Sequence, residues 1–250
     1  MTSDCKNCGA LVDTNFCPHC GQKASTERFT IKSLLHEFIH GFYHVDHGIL
    51  YTIKALTVYP AEMIKEYLHG KRKTYFNPFT FVLIIAGVLT IFLPKLIQES
   101  LFAELGWSDH NLMNESLQQS SFENLSIRII LGLPVLAFIT NLFYRKKEFS
   151  FSENLITNTY LRGQSQIFLL VLLPLLVVHP SRIMMLLFSL VYYFIVLIYS
   201  AWVYCSLFEN KISFTGILKG FACAVTGNLA EFLIANLLFT AATKIFIIHF

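Results

Sequence analysis

Gly70 to Phe79 reads GKRKTYFNPF, and this stretch divides the chain into two unlike parts. A helix-stopping glycine comes first, then Lys71, Arg72 and Lys73, then two aromatic residues and Pro78. That order matches the approach to a bilayer, with cations at the headgroups, rings at the interface and hydrocarbon beyond. Residues before the stretch read as cytosolic, and nearly all residues after it read as membrane. Lys71, Arg72 and Lys73 then have two readings: they hold the first span to the cytosolic side, or they form a site for lipid phosphate or another anion.

The composition agrees with a membrane class. Hydrophobic types make up 54% of the 250 residues and charged types only 14%, with a mean hydropathy of +0.55, far more apolar than an average soluble domain. A formal charge of +3 predicts no nucleic-acid partner. The first residues, MTSDCKNC, offer neither a basic start nor an apolar core. No cleavable signal peptide is expected, and insertion falls to internal spans.

Upstream of the dividing stretch, Cys5-x-x-Cys8-Gly9 and Cys17-x-x-Cys20-Gly21 are two knuckles of the kind that close a tetrahedral four-sulfur site. A redox pair would need only one of them. The expectation is a zinc ribbon over residues 1–24 holding one structural Zn2+ through Cys5, Cys8, Cys17 and Cys20, with His19 as a spacer. A protein partner docking on the ribbon goes with it. Cys205 and Cys223 stand alone in apolar runs and read as ordinary buried side chains.

Residues 25–77 read as cytosolic or interfacial amphipathic helices. Ile31, Leu35, Phe38, Phe42, Val45 and Ile49 draw one helical stripe, and His36, His40, His44 and His47 occupy the opposite face. His36-Glu37-Phe38-Ile39-His40 is a literal HExxH, in which His36 and His40 can bind a second zinc with Glu37 as general base. The extended motif wants glycine at 43 and a third ligand at 46, where Tyr43 and Asp46 stand, so a solvated histidine face is the preferred reading. Ile53 and Leu56 mark a second helix and Pro60 opens a third, with Met63, Ile64, Tyr67 and Leu68 on its apolar face. These short helices are expected along the membrane surface.

Residues 78–250 read as an all-α integral membrane bundle with about five transmembrane helices, near 79–97, 127–144, 161–178, 183–207 and 216–239. Pro94 is expected to close the first. The loop from Gln98 to Asn124 carries acidic residues but no lysine or arginine, whereas Arg145, Lys146 and Lys147 follow the second span, so both basic clusters place the N-terminus in the cytosol and the C-terminus outside. Arg162, Gln164 and Gln166 read as a polar cytosolic end of the third span. Ser152 and Thr215 are expected as N-caps of returning helices. Glu231, with Asn228 beside it, is the acidic group well inside a span, expected to serve an ion path or to pair with a cation such as Arg128 or Arg182.

The ribbon, Thr52-x-x-x-Leu56-x-x-x-Pro60, Tyr67 and GKRKTYFNPF together resemble a family of uncharacterised bacterial multi-span membrane proteins with an N-terminal zinc ribbon. The specific part of the resemblance runs from Cys5 to Asn77. It implies a bacterial inner-membrane protein and brings no reaction with it; the histidine face is not part of the pattern. The expectation is a non-catalytic interaction or assembly component in the lipid bilayer. A small-solute or ion transporter using Glu231, and a zinc metallopeptidase using His36, Glu37 and His40, are the alternatives.

Overall fold

The computed structural model describes residues 3–34, 48–105, 125–145, 149–178, 182–209 and 212–249. A small β-turned module leads. Strands β1 (Ser3–Asp4) and β2 (Leu11–Val12) pair antiparallel, with Ser3 opposite Val12, and a single bridge joins Phe16 to Lys23. The helices that follow are α1 (Ile49–Val58), α2 (Pro60–Leu68), α3 (Pro78–Leu105), α4 (Leu125–Phe143), α5 (Phe151–Val178), α6 (Arg182–Phe208) and α7 (Phe214–His249).

The apolar periodicity upstream of GKRKTYFNPF produces α1 and α2, and the buried face of α2 is the predicted one: Met63, Ile64, Tyr67 and Leu68. Pro60 takes the first helical position, where its missing N–H costs nothing. Gly70 ends the segment at φ +113°, a backbone setting that a side chain would strain. These helices do not form a layer of their own. Their apolar residues share one core with Phe81, Ile156, Tyr160 and Val203 from the long helices.

Helix α5 is the centre of the bundle, packed against α1, α3, α4 and α6, while α7 closes the far side against α4 and α6. The Tyr160 hydroxyl donates to the Phe76 carbonyl at 2.7 Å, Gln164 Nε2 donates to Thr57 Oγ1 at 2.9 Å, and the Tyr199 hydroxyl of α6 donates to the Leu56 carbonyl at 2.8 Å. These bonds tie α1 and the dividing loop to the interior. One end of the bundle collects the polar ends of several helices. There Arg28 forms a two-point pair with Glu153 at the start of α5, Lys65 donates to the Ser206 carbonyl near the end of α6, and Tyr144 after α4 stacks on Phe208.

Three expectations are corrected. Helix α3 does not stop at Pro94 but runs on to Leu105, and Pro134 and Pro174 likewise lie inside α4 and α5. A proline removes one hydrogen bond, and an apolar run on both sides of it outweighs that loss. Helix α5 begins at Phe151 rather than near 161, so Arg162, Gln164 and Gln166 are mid-helix and packed inside. The caps are Ser150 and Ser213, two residues before those expected. The Glu153 and Gly216 N–H groups donate to their hydroxyls, and the Ser150 N–H donates back to the Glu153 carboxylate, completing a capping box. The short helices α1 and α2 pack their apolar faces into the bundle core.

Among the described residues, two helical segments are long and apolar enough to cross a membrane, Leu186–Phe208 and Phe214–Ile234. The apolar parts of α3 and α4 are shorter, Pro78–Phe92 and Ile129–Phe143. Close helix contact is made at glycines. A Cβ at Gly163 of α5 would stand 2.5 Å from the Phe81 ring of α3, and one at Gly220 of α7 would stand 2.6 Å from the Ala201 carbonyl of α6. Gly163→Ala is therefore expected to lower stability by about 1–3 kcal/mol through overpacking. Thermal unfolding in detergent checks this, and Phe81→Leu in the same chain should return part of the loss.

Candidate metal centre

The Cys5 and Cys20 sulfurs lie 3.6 Å apart, as do those of Cys8 and Cys17, and all four fall within 4.8 Å of one another. A tetrahedral ion with metal–sulfur bonds of about 2.3 Å requires sulfur separations of about 3.8 Å, so the cluster has the right size. The two knuckles are built alike. In the first, the Cys5 N–H donates to the Ala10 carbonyl and the Gly9 N–H to the Cys5 carbonyl; in the second, Cys17 donates to Gln22 and Gly21 to Cys17. Gly9 and Gly21 sit at φ +75° and +72°, which explains the glycine after each CxxC pair.

The thiols bear on one another electrostatically. Burial raises the Cys5 thiol, but backbone N–H groups of Cys8 and Asn7 outweigh it and bring it down to about 7. Cys8 receives the Ala10 N–H, yet burial and the sulfurs of Cys17, Cys20 and Cys5 push it up to about 12. One thiolate forms readily and the next is opposed by the first. A bound cation removes that opposition, and the donor set fits one. His19 is exposed and lies outside the cluster. The six cysteines are all free thiols, and Cys205 and Cys223 are buried, as their apolar surroundings predict.

Both knuckles reach the same loop. Gln22, just past the second, donates through Nε2 to the Gly70 carbonyl at 2.8 Å, and its Oε1 accepts the N–H groups of Arg72 and Lys73 at 3.0 and 3.1 Å. Asn7, inside the first, accepts the Thr74 N–H at 3.0 Å and its hydroxyl at 2.9 Å. The module is thus clamped on residues 70–74 through their main chain.

The three cations of that loop have partners of their own. Lys71 pairs with Glu66 at 2.9 Å, and Arg72 donates to the Glu27 carbonyl while its guanidinium lies over the Phe29 ring at 3.7 Å. Lys73 is exposed. The Tyr75 hydroxyl also donates to Glu66, and these two donors, Tyr75 first and Lys71 second, hold the Glu66 carboxyl below its ordinary value. Downstream, Asn77 caps α3 by accepting the N–H groups of Phe79 and Thr80, and Pro78 takes the first helical position. The Asn-Pro pair is a helix-start signal legible in the sequence alongside the interface reading.

A second constellation lies in the helices. Glu231 of α7 is buried and paired with Arg162 of α5, whose Nη2 also reaches Asn228 Oδ1 at 3.4 Å. The cation found beside it, Arg162, is a residue read as belonging to a helix end, and α5 starts ten residues before that expected end; the side chains of Arg128 and Arg182 lie outside what the structure describes. Gly132 of α4 faces the Glu231 carboxyl, and a Cβ there would overlap it. About two turns away along the same two helices, Asn141 of α4 accepts from Asn154 of α5 at 3.3 Å. His36 and His40 lie outside the described residues.

Residues 46–90 match a family model described as a protein of unknown function, DUF3667. That match covers α1, α2, the clamped loop and the first part of α3. It contains Thr52, whose hydroxyl accepts the Phe76 N–H at 2.8 Å, together with Leu56, Pro60 and Tyr67. The cysteine module and the later helices fall outside it. No curated protein and no solved structure matches the chain.

The clamp yields two expectations. Gln22→Ala should cost about 1–3 kcal/mol, the usual penalty for leaving buried backbone groups unpaired, and should speed hydrogen exchange at the Arg72 and Lys73 amides without altering metal content. Gln22→Glu keeps an acceptor but loses the donor to Gly70, so its effect should be intermediate. For Glu66, a folded-state value below the ordinary 4.5 means its contribution is present above the unfolded value and lost as pH falls through the folded one. Glu66→Gln should therefore lower the melting temperature at pH 7, and the difference from the natural chain should close below pH 4.

Proposed function

We propose that this protein is a multi-span membrane protein of about five spans, non-catalytic, in which a cytosolic zinc ribbon clamps the entry to the first span and offers a surface for assembly with a partner. The observation that carries this reading is the double grip of Asn7 and Gln22 on residues 70–74. A ribbon attached in this way transmits metal binding to the start of α3 instead of hanging from a linker. Zinc is the ion that best suits a closed set of four thiolates with tetrahedral spacing. Without it, a module of this size has too little core to hold the two knuckles together.

Exposed apolar side chains support the membrane part. Leu186, Leu190 and Phe194 of α6 and Leu218, Leu229 and Leu233 of α7 all face outward, too many in sequence for a water-facing surface. Apolar segments of α3, α4 and α5 complete the spans in this reading, and Pro78–Phe92 and Ile129–Phe143 are short enough to need Tyr and Lys anchors at their ends. The gathering of Arg28, Lys65, Lys71, Arg72 and Lys219 at the ribbon end fits a cytosolic face, and the bacterial inner membrane is the expected location. A transporter reading is favoured by the Arg162–Glu231 pair, since ionisable groups inside a span are costly and tend to serve transport.

Zinc counted per chain on detergent-purified protein tests the proposal, with the natural chain compared to a His36→Ala, His40→Ala double variant. One zinc in each is expected, with Cys8→Ser losing it and with the Lys73 amide exchanging faster as the clamp opens. Two zincs falling to one in the double variant would move the reading to a metallopeptidase. Loss of zinc from Cys8→Ser with no change at Lys73 would sink the clamp.

A further inference from the structure

We propose that the buried face of α5 carries a binding site for a small carboxylate, with Arg162 as its cation, Gln166 as a second donor, and Glu231 filling the place of the ligand's carboxylate when none is bound. This goes beyond the ribbon and does not rest on it.

Asn154, Asn158, Arg162 and Gln166 recur at four-residue steps and so share one face of α5. The first two reach neighbouring helices. Asn154 Nδ2 donates to Asn141 Oδ1 of α4 at 3.3 Å, with Asn154 Oδ1 left open. Asn158 Nδ2 donates to Thr140 Oγ1 at 3.1 Å while its Oδ1 accepts the Tyr204 hydroxyl of α6 at 2.6 Å. Further on, open donors appear. Arg162 Nε and both amide atoms of Gln166 are buried with no hydrogen-bond partner among the described residues, as is Gln164 Oε1, and Gln166 is only 3% exposed. Buried polar groups are nearly always paired, so two open donors within about one turn call for a partner that no described residue supplies. Leu169 and Leu173 occupy the next positions on that face, so the polar run ends at Gln166.

The chemical class follows from what already sits there. A guanidinium presents Nε and one terminal nitrogen along a single edge, the geometry that takes a carboxylate at two points. Glu231 uses only Nη2 of that edge, which also meets Asn228, and leaves Nε open. Gly132 thins α4 where the carboxyl lies, since a Cβ there would overlap it. The site is therefore shaped around a carboxylate, half of its donors are unspent, and Arg162 is the cation to be balanced. A monoanion balances that single charge when the displaced Glu231 takes up a proton, and a dianion would leave one charge buried without a partner.

The test uses the full chain, purified in detergent, with Glu231→Ala freeing Arg162 and opening the place that the carboxylate fills. Thermal unfolding is compared in acetate and in chloride at equal ionic strength. Saturable acetate-specific stabilisation of several degrees is expected for Glu231→Ala, as binding to the folded state alone requires. Adding Gln166→Leu should abolish that increment while the melting temperature in chloride holds or rises. No acetate-specific increment would overturn the proposal, and so would an increment that survives Gln166→Leu. If Glu231→Ala does not fold in chloride, the yield of folded protein in acetate becomes the readout: recovery supports the site, and no recovery overturns it.

Discussion

The structure depends on a side-chain amide reading a main chain. Gln22 makes three hydrogen bonds to Gly70, Arg72 and Lys73, and Asn7 adds two more at Thr74. Because four of these five bonds are to backbone groups, the clamp fixes the path of the loop whatever the lysines and arginine do with their side chains. Those cations are left to bind elsewhere, Lys71 on Glu66 and Arg72 over Phe29. The four sulfurs of the two knuckles meet within 4.8 Å of one another, and in that arrangement Asn7 and Gln22 reach the same five-residue loop. Knuckle arrangement, loop path and the start of α3 at Asn77 are thus connected.

From there the constraint passes into the bundle. Phe76, in the same loop, is held twice: its N–H by Thr52 of α1 and its carbonyl by Tyr160 of α5. Tyr160 is fully buried and contacts the Tyr67 ring edge-on at 5.3 Å, which joins α2 to the central helix. Within the bundle, glycines at 132, 163 and 220 let an ion pair, an aromatic ring and a neighbouring backbone approach closely. Such close packing and interhelical hydrogen bonds hold the helices together. Asn158, Thr140 and Tyr204 provide those bonds across three helices at once.

Much of this was legible in local sequence. The CxxCG pairs specify a four-sulfur cluster because ligand spacing and glycine φ are properties of a few adjacent residues. The helices α3 to α7 follow from long apolar runs, and the apolar face of α2 from its period. Misreadings came where two local signals competed. Ser152 and Thr215 looked like caps because each precedes an apolar stretch, but the Ser150 and Ser213 hydroxyls accept the Glu153 and Gly216 N–H groups, and the Glu153 carboxylate accepts the Ser150 N–H in return. Arg162, Gln164 and Gln166 looked like a helix end because polarity inside an apolar run normally marks its boundary.

By itself, the sequence determined the elements and the four-cysteine cluster, since capping, helical period and knuckle geometry act over three or four residues and need no distant partner. Which side chains meet across the bundle was decided only by the tertiary structure. Gln22 and Lys73, Arg28 and Glu153, and Arg162 and Glu231 are separated by long stretches of chain. Their meeting depends on the rotation of each helix about its axis and on where each begins. A shift of one residue at the start of α5 turns its face by about 100°, enough to move Arg162 from Glu231 to another neighbour. Periodicity identifies the face of a helix that is buried, and only packing selects what that face is buried against.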